Sequence, residues 1–135
     1  MAHELLLSFG LDPDRADQIR RCILCHRYRN DHVPSTIEEK ILYDADKLDS
    51  IGAVGIGRAF LFSGEVGARL HNPDIDINLT EAYGKEDTAY REYMVKLRYI
   101  HERMLTAEGN RMAEERHRFM VDFFDRLQKE VKNQL

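Results

Sequence analysis

Towards the C-terminus apolar side chains return every three or four positions, and no segment of the chain shows sustained alternation. Tyr90, Tyr93, Leu97, Ile100 and Met104 form one such series, and Met120, Phe124, Leu127 and Val131 form a second. A period near 3.6 suits one face of an α-helix, whereas a half-buried strand needs a period of two. The pattern predicts an all-α fold ending in a pair of long helices, with Gly109 or Asn110 at the turn between them. The run "NRMAEERHRF" reads as a solvated face with His117 exposed, and a phosphate role for Arg111, Arg116 or Arg118 is the less favoured reading.

The first half is also helical. "MAHELLLSFG" reads as a helix closed by Gly10, and Asp12 with Pro13 announces the next helix, which carries Ala16, Ile19, Ile23 and His26 along one face. The polar "RYRNDHVPS" predicts a loop. Ser35 and Glu38 then offer a capping box for the helix that holds "ILYDADKLDSIGAVGIGRAF". On that helix Ile37, Ile41, Ala45, Leu48 and Gly52 make one stripe, and Leu42, Asp46, Asp49 and Ala53 another. A helix apolar on two sides belongs at the centre of a bundle, so Asp46 and Asp49 are expected to be partly buried, with Asp44 at the edge of the first stripe. The order "GAVGIG" reverses the dinucleotide-binding pattern and follows no strand. Gly52, Gly55 and Gly57 are therefore expected to permit close helix approach or to break the helix, with Arg58 on the far side. The expected organisation is one helical domain over residues 1–135: motif-bearing helices over 1–62, a Gly-, Asn- and Asp-rich loop over 63–86, and the helix pair over 87–135.

Composition narrows the function classes. A chain of 135 residues is long enough to bury one core without a disulfide or metal. A formal charge of −4 gives no reason to expect a nucleic-acid polymer or a membrane surface as partner. No apolar run is long enough to span a bilayer, and the expected location is the cytoplasm. Cys22 and Cys25 form a C-x-x-C without a second pair, which favours two reduced thiols on a helix over a redox or zinc motif.

His26 taken alone reads as a satisfied core or helix-end residue. Paired with a carboxylate at Asp46 on the following helix, it also fits part of a divalent-metal site, with Asp49 as a supporting acid. Two ligands do not complete a site.

"CILCHRYR" followed by "PSTIEEKILYDADKLDSIGAVGIGRAF" resembles the HD-domain metal-dependent phosphohydrolases, in a subgroup of small hydrolases. "AYREYMVKLRYIHERMLTAEGNRMAEERHRFMVDFFDRL" is similar to the C-terminal helices of the same subgroup. The resemblance implies an HD-domain-like helical bundle and hydrolysis of a phosphate ester or nucleotide. It further implies a divalent cofactor (Mn, Mg, Fe, Co or Zn) held by His26 and Asp46, with Asp46, Lys47 and Arg58 as catalytic candidates. Lys47 and Arg58 would meet a substrate phosphate, although surface pairing is the favoured role for each. The sequence contains no His-Asp dipeptide, only the reversed Asp31-His32. The chain is accordingly expected to be the C-terminal portion of an HD domain, a fragment or a natural short form, inactive or weakly active alone. The alternative is a non-catalytic helical binding or interaction module derived from the fold. In either case self-association is expected, because the apolar second stripe would be uncovered.

Overall fold

The computed structural model describes residues 2–27, 32–72 and 74–134. Residues 28–31 of the loop expected after His26, Asp31 among them, lie outside these. The described residues are helical and contain no strand, and the chain divides into two compact units, Met1–Asp46 and Lys47–Leu135. None of the described helices is long and apolar enough to cross a membrane.

In the first unit α1 spans Ala2–Ser8 and α2 spans Pro13–Cys25. Gly10 takes a left-handed φ of 78° between them. The Asp12 side chain accepts the Asp14 and Arg15 amides, so the expected cap is present. The expected face of α2 is buried only in part: Ala16 is buried and His26 half-buried, while Ile19 and Ile23 stay substantially exposed and Cys25, off that face, is buried.

Helix α3, Ile37–Leu48, departs most from the expectation. Glu39 rather than Glu38 closes the cap, its carboxylate accepting the Ser35 and Thr36 amides and the Ser35 hydroxyl, while its own amide donates to the Thr36 hydroxyl. Arg21 of α2 donates to the same carboxylate, which is 2% exposed. These donors hold the Glu39 pKa below the ordinary range, the Ser35 amide contributing most and burial opposing. Anchoring Glu39 inward fixes the roll of α3. Tyr43, Asp44 and Leu48 follow it into the buried seam, and Ile37, Ile41, Leu42 and Asp46 turn outward. The two-sided apolar helix is thus corrected to a helix with one buried seam that passes through an acid.

The second unit holds α4 (Gly52–Glu65), a 3-10 turn (Ile77–Leu79), α5 (Ala89–Val95), a 3-10 helix (Leu97–Arg103) and α6 (Ala107–Val131). The stripe expected to continue from α3 into Gly52 and Ala53 is broken, because α3 stops at Leu48 and Asp49 lies in the turn. Gly52 has φ 72° and a Cβ there would lie 2.9 Å from Cγ of Arg116, so it combines a left-handed backbone with a close approach of α6. Gly55 abuts the Ser50 carbonyl, which a Cβ would meet at 2.3 Å. The first helix of the C-terminal pair is interrupted at Lys96 (φ −143°), yet Tyr93, Leu97, Ile100 and Met104 all remain buried. The turn before α6 is at Thr106, whose hydroxyl accepts the Gly109 amide, so Gly109 belongs to the first helical turn instead of the connection. Leu48, Ile51, Ile56 and Ala59 join the helix pair in one core, where Tyr93 stacks on Phe124 at 4.3 Å.

A buried polar network organises the connection from α4 to α5. Asp87 accepts the Tyr83 amide at 2.7 Å and the Arg91 guanidinium at 2.8 Å, and Arg91 also donates to the Thr80 hydroxyl and carbonyl. The Thr88 hydroxyl donates to Asn72, whose amide reaches the Glu86 carbonyl. The Asp87 and Arg91 side chains are 5% and 13% exposed. Removing one partner of such a pair strands the other charge, so Asp87→Ala is expected to cost about 3–5 kcal/mol in chemical denaturation. Gly52→Ala, which adds left-handed strain and a clash, is expected to cost about 2 kcal/mol in the same measurement.

Candidate functional site

His26 caps the C-terminus of α2 and is half-buried. Its Nδ1 faces the Ile23 carbonyl, which can only accept, so Nδ1 carries the proton and the lone pair of the neutral ring falls on Nε2. Asp46 stands near the end of α3 and is exposed, against the expectation of a partly buried acid. Asp44, 3% exposed, is the buried carboxylate of the D-A-D run. The 100° step between successive helical residues explains the exchange: with Glu39 and Tyr43 facing inward, Asp44 lies beside them and Asp46 does not. Asp49, also expected to be partly buried, is exposed in the turn.

Lys47 is half-buried. Arg58 on α4 is exposed and donates to the Asp49 carboxylate and, at 3.1 Å, to the Asp49 carbonyl. It therefore has the surface-pairing role, clasping the turn that precedes its own helix. Asp49 is that turn's structural acid. Of the two expected metal donors, both in the first unit, neither belongs to a group of three His, Cys, Asp or Glu side chains able to hold an ion among the described residues. An imidazole nitrogen and a carboxylate are suitable donors in kind but short in number.

Cys22 is half-buried and Cys25 buried, and neither is in a disulfide. Burial, with the Glu39 charge second, pushes both thiols above their usual pKa, away from a reactive thiolate.

The second unit contains histidines that sequence reasoning placed wrongly or passed over. His117 is half-buried instead of exposed, its ring stacked on His101 with centroids 3.8 Å apart. Its neighbour Arg116 reaches the Leu48 carbonyl, so the charge run is partly folded inward. Ala113, buried three residues after Asn110, is the sequence signal for that inward face. Nδ1 of His117 has no hydrogen-bond partner among the described residues, and the Gln128 side chain is the polar group close to the His71 ring. His71 also packs edge-on against Tyr90.

No protein-family model matches the chain. An uncharacterised Bacillus subtilis protein, YpgQ, is 36% identical over 133 residues, covering 96% of this chain and 59% of YpgQ. The solved structure of YpgQ in complex with ADP matches at 34% identity and a TM-score of 0.74, over 95% of this chain and 58% of that one. An HD-superfamily hydrolase from Bacillus thuringiensis matches at 26% identity and a TM-score of 0.76, over 96% of this chain and 60% of its own. The chain is HD-domain-like. It spans less than two thirds of the length of these relatives.

Burial lowers the pKa of His71 and of His117, and for His117 the adjacent His101 lowers it further. The fold thus binds these protons less readily than the unfolded chain does. Stability is full above the ordinary histidine pKa of about 6.5 and falls as pH drops below it. Thermal unfolding from pH 7.5 to 5.5 is expected to show a declining Tm, with a shallower decline in His117→Phe.

Proposed function

We propose that this chain contributes to a metal-dependent phosphohydrolase site of the HD type, acting on a phosphate ester or a nucleotide. The observation that carries the reading is the exposed carboxylate of Asp46 in an HD-domain-like fold, which an ion from solvent can reach without any rearrangement of α3. His26, with its Nε2 lone pair set by the bond from Nδ1, is the second donor. The remaining donors are not among the described residues, and the pair by itself amounts to a weak site. A divalent ion bound there would polarise a phosphoryl oxygen and lower the pKa of bound water. Lys47 follows Asp46 directly and is assigned to neutralising substrate phosphate charge. Arg58, already engaged by Asp49, has a smaller share in that task. The ADP complex of YpgQ supports a nucleotide as the class of ligand to test first.

The second reading, a non-catalytic helical module, draws support from the exposed Ile37, Ile41 and Leu42 on α3, an apolar face suited to association. Titration of the metal-stripped chain with Mn²⁺ separates the two. Submillimolar uptake that weakens tenfold or more in both Asp46→Asn and His26→Gln is expected. Equal uptake by all three proteins, or none, would favour the module.

A further inference from the structure

In the second unit a cleft of about 330 Å³ opens between α4, the segment before α5 and the start of the 3-10 helix. Its lining includes Phe62, Tyr83 and Leu97 as apolar groups and Arg58 and Lys96 as cations. Tyr83 has φ 64°, a left-handed conformation that an aromatic residue adopts at a cost. The strain is held in place: the Tyr83 amide donates to the buried Asp87 carboxylate, and the ring meets Phe62 edge-on at 5.8 Å. The residue is nevertheless 72% exposed, so core packing does not explain it. A glycine would adopt this backbone freely, and one follows immediately at Gly84. An exposed aromatic ring kept at a strained position, on the rim of a cleft with two cations, has the chemistry of a stacking platform.

We infer that this cleft binds a nucleoside diphosphate, with the base stacked on Tyr83 beside Phe62 and the phosphates directed to Lys96 and Arg58. The inference rests on the nucleotide reading given above and adds the residues that would recognise the ligand. Lys96 is held by Glu92 at 2.6 Å and Arg58 by Asp49, but both cations are more than half exposed. Exposed pairs of this kind are weak, and a phosphate carrying two charges competes well for them. Glu92 and Asp87 also line the cleft, so it is not a uniformly cationic trap. Its selectivity comes from an aromatic wall next to a shareable cation. A free phosphate engages only half of the site.

The test is titration of the full chain with ADP and, separately, with adenosine, alongside thermal unfolding of each variant. Tyr83→Gly is expected to raise the Tm, because the strain is relieved, and to weaken both ligands about tenfold through loss of stacking. Tyr83→Phe should retain wild-type affinity for both. Lys96→Ala should weaken ADP and leave adenosine unchanged. Wild-type ADP affinity in Tyr83→Gly would overturn the inference and leave the nucleotide reading standing. A lowered Tm in Tyr83→Gly would make the tyrosine a structural residue and overturn it as well. Failure of the wild-type chain to bind millimolar ADP would overturn both.

Discussion

The turn from α3 to α4 depends on Arg116. Its guanidinium, on α6, donates to the Leu48 carbonyl at the end of α3, and its aliphatic stem lies where a side chain on Gly52 would have to go. The last carbonyls of a helix need donors from outside the helix, and here one comes from a residue far along the chain. Gly52 supplies the left-handed step, Gly55 lets α4 begin against the Ser50 carbonyl, and Arg58 closes the other side through Asp49. With the turn held on both sides, Ile51, Ile56 and Ala59 enter the core formed with Tyr93, Leu97 and Phe124. In the same turn the Arg58 charge is paired with the Asp49 carboxylate.

A second constraint governs the non-helical connection. Asp87, Arg91, Thr80, Thr88 and Asn72 satisfy one another in the interior, so a Gly- and Asn-rich segment without helical period keeps a defined path. Backbone groups buried there have partners. That path carries Tyr83 to the edge of its cleft with its amide bound to Asp87, which makes the strained residue a product of the network. Polar burial and exposed aromatic surface are thus two ends of one arrangement.

The fold behind the candidate site was legible, and the orientation of its acids was misread. The D-A-D run, its preceding histidine and the following glycines were sufficient to suggest an HD-type fold, and similarity to an HD-superfamily hydrolase bears that fold out. Which acid turns outward was not legible, because the expected roll of α3 came from the most hydrophobic stripe. The actual roll follows Glu39, whose carboxylate is held by two amides and a hydroxyl at the cap and by Arg21. His117 was misread for a related reason: a charged neighbourhood in sequence became a packed one once Arg116 and the His101 ring were brought alongside.

The sequence by itself determined the helical class, the Asp12 cap, the closing glycine at Gly10, and the buried series through Tyr93, Leu97, Ile100 and Met104. These rest on interactions within a few residues, or on a periodicity that reports how much apolar surface a helix offers. The tertiary structure alone decided the roll of α3, the inward position of Asp44, the break at Lys96 and the pairing of His101 with His117. The partners that fix the two ends of α3 lie 18 residues apart for Arg21 and Glu39 and 68 apart for Arg116 and Leu48. A local pattern can show that a helix has a face to bury; only groups brought together from such distances determine which face it is.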